Sequence, residues 1–547
     1  MNRRKFLTGS LAVIVATDAT RAQEPKPTAP VTPPQTDLNA APGIRPSNFT
    51  FDEVTIAELQ ARMKQGELTA HEICTRYLER IEEIDSHGPG LRSVIEVNPD
   101  ALALARTLDE EYRAKGPRGP LHGIPALLKD NIDTADKMQT TAGSLALVGN
   151  PAPADSWVAQ RLRAAGAIII GKTNLSEWAN FRSTHSTSGW SGRGGQTKNP
   201  YALDRNPCGS SSGSGVAVSA NLCAAAIGTE TDGSIVCPSS MNGIVGIKPT
   251  LGLVSRAGII PVAHSQDTAG PMARTVRDAA LVLGALVGVD QRDRETGASA
   301  AHSYTDYTQF LDTNGLRGAR LGIARQYFNL GPAVTAVMEQ CIALMRDSGA
   351  TIVDPADLSS YEAWRDSETQ VLLYEFKADL NNYLSARGTA LRSLADCIKF
   401  NQDHRAEEMP FFEQELMEQA NAKGPLTEKG YRDALTTSKR LARREGIDAV
   451  MAKFKLDAIV APTAGPAWVS DLVDGDRTDS GSSSPAAVAG YPDITVPAGF
   501  KFGLPFGISF FGSAWSEPKL IKIAYAFEQA RGARRKPEYL PTVNLYA

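Results

Sequence analysis

The part of this chain that most constrains its fold is a pair of serine- and glycine-rich segments with an apolar segment between them. The first reads Cys208-Gly-Ser210-Ser211-Ser212-Gly213-Ser214-Gly215, and the second reads Gly228-Thr-Glu-Thr231-Asp232-Gly233-Ser234-Ile235. Side chains this small build little hydrophobic core. They let the backbone turn tightly and aim several N–H groups at one point. A flexible linker has the same composition. Here, however, the residues between the two segments, Val216 to Ile227, are apolar and alanine-rich and predict a buried helix. Loops tied to a buried helix are held in place, so a rigid polar site is expected.

Several patterns compete to explain that site. Gly209-Ser-Ser211-Ser-Gly213 satisfies the G-x-S-x-G elbow of an α/β-hydrolase, which would make Ser211 the nucleophile. That elbow needs a strand before it, and Asn206-Pro207-Cys208 is a turn-like entry. It also needs an acid and then a histidine downstream, and His264, His302 and His404 stand in no telling context. Gly166-Ala-Ile-Ile-Ile-Gly171-Lys172-Thr173 satisfies the P-loop expression, yet its four intervening residues form strands, whereas a phosphate cradle must be a loop. The seven histidines contain no H-E-x-x-H or H-x-E arrangement, so neither a metal nor a cofactor is expected. The remaining candidate for activating a serine is Lys129, at the end of the apolar run Ile124-Pro-Ala-Leu-Leu128. Pairing with Asp130 or Asp133 would keep it charged. Burial among hydroxyls would instead lower its pKa and leave an amine able to take a proton.

Around these segments, buried strands are expected at 167–170, 320–324, 458–461, 494–497 and 506–511, with helices alternating between them. This grammar predicts an α/β layered fold with helices on both faces of a sheet. Thr55-Ile-Ala-Glu58 and Thr69-Ala-His-Glu72 read as capping boxes that start two helices. Residues 357–455 are helical in pattern and richer in charge, and are expected to form an insertion. The six cysteines match no zinc or redox spacing and are expected to be packed thiols without disulfides. Lys and Arg (57) nearly balance Asp and Glu (61), which lacks the basic surplus of a nucleic-acid binder. Arg3-Arg4 before a short apolar stretch reads as a twin-arginine signal over residues 1–22. Residues 23–48 follow as a proline-rich linker. The expected location is therefore periplasmic or secreted, with no membrane contact by the mature form and an oligomeric state left open.

Taken together, these motifs resemble the amidase signature family. The resemblance extends from about Phe51 onward. It rests on Gly123-Ile-Pro-Ala-Leu-Leu-Lys-Asp-Asn131, Thr140-Thr-Ala-Gly-Ser144, Gly166 to Asn174, the serine-glycine block, Gly246-Ile-Lys-Pro-Thr250, Asp267 to Arg274 and Pro492 to Gly499. It implies one α/β/α domain around a large mixed sheet over residues 49–547. It also implies a Ser–cisSer–Lys triad at Ser234, Ser210 and Lys129, and an oxyanion hole built from the backbone amides of Thr231, Asp232, Gly233 and Ser234. The implied chemistry is hydrolysis of a carboxamide through an acyl-enzyme. The substrate would be a small-molecule or peptide amide.

The chain departs from the family at Asp232, where many members carry glycine, and at Val236, where many carry arginine. Loss of that arginine disfavours acidic substrates. The version Thr229 to Pro238 is similar to that of bacterial peptide amidases, which deamidate C-terminal peptide amides. Small aliphatic or aryl amides are the alternative on the same machinery, and an exported amide-binding protein without catalysis is the alternative of another class. Residues 180–183 and 188–193 are candidates for the acyl-side wall, or are plain surface loop.

Overall fold

Runs of branched apolar residues become the strands of this protein, described by a computed structural model over residues 48–477 and 481–545. In chain order these are β1 (Val94–Val97), β2 (Pro125–Lys129), β3 (Ile168–Thr173), β4 (Trp190–Ser191), β5 (Gly195–Gln196), β6 (Ala225–Glu230) and β7 (Val245–Lys248). They continue as β8 (Thr268–Ala273), β9 (Arg320–Ile323), β10 (Thr351–Val353), β11 (Ala458–Pro462), β12 (Asp493–Lys501) and β13 (Leu504–Phe511). Eleven of them form one sheet in the order β1-β3-β2-β6-β8-β7-β12-β13-β11-β9-β10, while β4 and β5 pair separately. The sheet is mixed. β3, β2 and β6 run parallel to one another, as do β11, β9 and β10, with antiparallel strands between the two groups.

Successive side chains of a strand point to opposite faces, and β11 shows where each face goes. Ala458 and Val460 join the largest apolar core, whereas Ile459 and Ala461 join a second core with Trp364, Ile447 and Val488. Both faces of the sheet are therefore covered, which is why these strands are apolar throughout. Helices Ile56–Lys64 and Ala70–Ile81 begin at the expected capping boxes, Thr55 with Glu58 and Thr69 with Glu72. Among the described residues no helix is long and apolar enough to cross a membrane. The twin-arginine segment and nearly all of the proline-rich linker lie outside the described residues.

The expected helix over 216–227 is corrected. The helix is Ser212–Ser219, and the alanine-rich end of the run is strand β6. Alanine suits both states, and the sheet claims this segment because it lies between β2 and β8.

Residues 357–455, all of them described, carry helices and no strand. The longest of these helices is Arg365–Arg387. The segment is pinned to the sheet domain by Arg182, which is fully buried. The Arg182 guanidinium pairs with Glu177 at 2.6 Å, donates to the Glu408 carbonyl at 2.6 Å and lies 4.2 Å from the Phe412 ring centroid. A buried cation with this many partners costs much to strip, so the helical segment is held firmly against the sheet domain.

Candidate active site

Three loops converge at the carboxyl ends of the parallel strands β2 and β6, the usual position for a site in an open α/β sheet. Lys129 ends β2 and is fully buried. Its ammonium nitrogen donates to Ser210 Oγ at 2.7 Å, to Thr229 Oγ1 at 2.8 Å and to the Thr229 carbonyl at 3.2 Å. Neither expected carboxylate reaches it. Asp130 instead accepts from Thr141 and Arg193, and Asp133 accepts from Tyr383. Burial without a paired carboxylate lowers the Lys129 pKa to about 7, against the smaller opposing charges of Asp267 and Glu230.

Ser210 precedes helix Ser212–Ser219, and the Gly209–Ser210 peptide is cis. Gly209 is tightly packed here, since a Cβ would lie 2.2 Å from Ser176 Oγ and 2.8 Å from Ser188 Oγ and would displace both hydroxyls. Gly213 is equally confined, with the Ser93 carbonyl 2.3 Å from where its Cβ would sit. The serine-glycine block is thus a close-packed seam. Ser211 is fully buried, donating to the Thr229 carbonyl at 3.0 Å and accepting the Thr229 N–H at 3.1 Å. It holds the first loop to β6 and is not presented to a substrate.

Ser234 lies in the loop between β6 and helix Val236–Met241. The buried Glu230 carboxylate closes this loop by accepting the N–H groups of Ile235 at 2.7 Å and Val236 at 3.0 Å. Gly233 takes φ +76°, a left-handed turn that glycine adopts without strain. Among the described residues, no acceptor takes the N–H of Asp232, Gly233 or Ser234. The Ser211 N–H donates to the Ser234 carbonyl at 3.2 Å, so the two serine loops touch.

Ser234 opens onto a cavity of about 470 Å³, also lined by Gly209, Thr231, Asp232, Phe181, Tyr327, Trp364 and Trp468. Asn180, Phe181 and Ser188 of the two candidate wall segments line it. Arg182 and Trp190 are buried in the insertion contact, and Arg193 pairs with Glu96 and Asp130. Sequence reasoning missed Glu368, which the insertion brings to the same wall. Gln266 Nε2 donates to Glu368 Oε1 at 2.9 Å and to the Thr231 carbonyl at 3.2 Å, while Ser483 Oγ donates to Asp232 at 2.6 Å. Burial, and then the negative charge of Asp232, raise the Glu368 pKa. No local signal at Glu368 could have placed it here, since it stands more than 130 residues from Ser234 in the chain.

The expectation of unpaired cysteines is corrected by a disulfide between Cys208 and Cys237, with Cα atoms 6.0 Å apart. The other four cysteines are free and buried. His264, Glu375 and Asp379 gather beside a second cavity of about 380 Å³. Each is already engaged: His264 Nδ1 meets Asp379 at 2.8 Å, and Glu375 accepts from Tyr431 and from the Ser265 N–H. Burial opposes the charged imidazole, but the Asp379 hydrogen bond and the charges of Glu375 and Asp379 outweigh it and raise the His264 pKa. The cluster is a closed ion-pair set.

The fold and site define a hydrolase of linear amide bonds, and comparison with known proteins agrees. The profile of the Amidase family matches residues 72–521. The native peptide amidase of Stenotrophomonas maltophilia superposes with a TM-score of 0.86 at 53% identity, covering 90% of this chain and 99% of that one. An amidase family protein of Bacillus anthracis superposes with a TM-score of 0.81 at 36% identity, covering 88% of this chain and 92% of that one. A probable amidase of Arabidopsis thaliana is 44% identical over 90% of this chain and 93% of its own length. The chain belongs to the amidase family.

Proposed function

We propose that the chain hydrolyses unsubstituted carboxamides, foremost the C-terminal amides of peptides, and releases ammonia. The observation that carries this reading is the bond from buried Lys129 to Ser210 at 2.7 Å, with no carboxylate on the amine. Ser234 Oγ attacks the amide carbonyl carbon, and its proton passes to Ser210 as the Ser210 proton passes to neutral Lys129. The N–H groups of Thr231, Asp232, Gly233 and Ser234 receive the developing oxyanion, where one such donor is typically worth about 3–4 kcal/mol. The proton then returns through Ser210 to the nitrogen, the C–N bond breaks and ammonia leaves. Water attacks the acyl-enzyme through the same relay, giving the free acid and regenerating Ser234.

A peptide substrate is supported by the cleft itself. Phe181, Tyr327, Trp364 and Trp468 supply apolar walls, while Asp232 adds an acceptor for N–H groups. With Val236 in place of arginine, position 236 offers no counter-ion to a small acidic substrate. The likeness to the peptide amidase at 53% identity points the same way. The signal at Arg3-Arg4 supports export, with the enzyme working outside the cytoplasm.

Ammonia release from C-terminally amidated peptides, their free acids, benzamide and acetamide tests the substrate. The expected result is a much higher kcat/KM on peptide amides than on acetamide. Activity confined to the small amides would keep the machinery and discard the peptide.

A further inference from the structure

The Cys208–Cys237 disulfide joins the two loops that carry the serines. Cys208 stands two residues before Ser210, and Cys237 stands three after Ser234, in the first turn of helix Val236–Met241. On the other side of the serines, the Ser211 N–H reaches the Ser234 carbonyl at 3.2 Å. The segments Cys208–Ser211 and Ser234–Cys237 are thereby closed into a ring by one covalent bond and one hydrogen bond, with both serines inside it. Each half has its own anchor in the sheet, and Ser211 also ties the first loop to Thr229 of β6. Ser210 is held by Lys129 from β2, and the Ser234 loop is held by Glu230 from β6. Both sulfur-bearing residues line the 470 Å³ cavity, so a small reductant can reach them.

We infer that this disulfide is a positioning element of the serine relay, setting Ser210 against Ser234, and that turnover depends on its oxidation. This rests on the Ser234–Ser210–Lys129 reading above. Hydrogen bonds from Ser211 N–H to Ser234, from Ser211 Oγ to Thr229 and from Asn242 Nδ2 to the Pro207 carbonyl leave the loops more freedom than a covalent bond does. A proton relay through two hydroxyls loses rate steeply when a donor moves by about 1 Å. Reduction by a dithiol transfers two electrons and two protons to the bond, leaving two cysteine thiols and the oxidised, cyclic dithiol. Phe181, Tyr327, Trp364 and Trp468, the apolar walls of the cleft, stand on segments outside the ring, so the loss falls on kcat and spares KM.

The test uses the full-length oxidised enzyme, dithiothreitol-treated enzyme and the Cys208→Ser/Cys237→Ser variant, assayed on one amide at 25 °C. Accessible thiols, circular dichroism and thermal unfolding are followed in parallel. The four free cysteines are buried, so reduction is expected to expose two titratable thiols in the folded protein. The expected result is a kcat about 10–100-fold lower in both altered forms, with KM and the folded spectrum kept, and activity restored by reoxidation in the dithiothreitol-treated enzyme but not in the double serine variant. Equal kcat in enzyme shown to carry two new thiols would overturn the inference. So would loss of the folded spectrum in both forms, since the bond would then be a general staple. An oxidised enzyme inactive on every amide would instead defeat the underlying relay.

Discussion

Two lysines lie at or next to the ends of neighbouring parallel strands and share the same burial, yet their surroundings make them different groups. Lys129 on β2 and Lys172 on β3 are both inaccessible to solvent, and Leu128 is the register partner of Lys172. Lys129 meets two hydroxyls and a carbonyl. Lys172 donates to the Ile132 carbonyl at 2.7 Å and to Thr140 Oγ1 at 2.8 Å, with the charges of Asp130 and Asp133 nearby. Burial lowers both pKa values, and at Lys172 those carboxylates oppose the shift. What separates them is the group each one holds: Lys129 donates to Ser210 beside the cavity loop, whereas Lys172 donates to a backbone carbonyl and a buried threonine.

The comparison breaks most visibly under substitution. Lys129→Met is expected to cut kcat about 10³-fold, the range of a general base, while thermal unfolding stays close to the parent. Retained turnover in that folded variant would remove Lys129 from the reaction. Lys172→Met is expected to do the reverse. It leaves the Ile132 carbonyl and Thr140 Oγ1 without their buried donor and costs about 1–3 kcal/mol for each in denaturant unfolding, with kcat per folded molecule kept. If Lys172→Met instead abolished turnover at unchanged stability, the assignment of the two lysines would be wrong. The smallest effect is expected from Ser211→Ala, which orphans the Thr229 N–H and costs about 1–3 kcal/mol of stability. Its kcat should persist, whereas Ser234→Ala should show none above background.

Much of this arrangement could be read from residues close together in the chain. The capping boxes, the buried strands and Lys129 at a strand end each follow from local pattern, and the resemblance placed Ser210 and Ser234. What escaped depends on packing between distant segments. Cys208 and Cys237 are 29 residues apart, and only the meeting of their loops brings them into bonding range. Ala225 to Ile227 read as helix because alanine fits either state, and only the vacancy between β2 and β8 makes the run a strand. Glu368 reaches the cleft through a helical segment that packs on the domain through an apolar core and Arg182, a residue offered by the sequence as cleft wall or surface loop and found buried.

The account stands on a neutral Lys129, and the pH dependence of kcat/KM reads that state directly. The folded pKa of about 7 lies below that of a free lysine, so the amine is protonated and inert under acid conditions and gains its acceptor role as pH rises. The predicted profile climbs about tenfold per pH unit below pH 7 and levels above it, as for loss of one proton. A flat profile from pH 5 to 9, or activity falling across that range, would contradict the account.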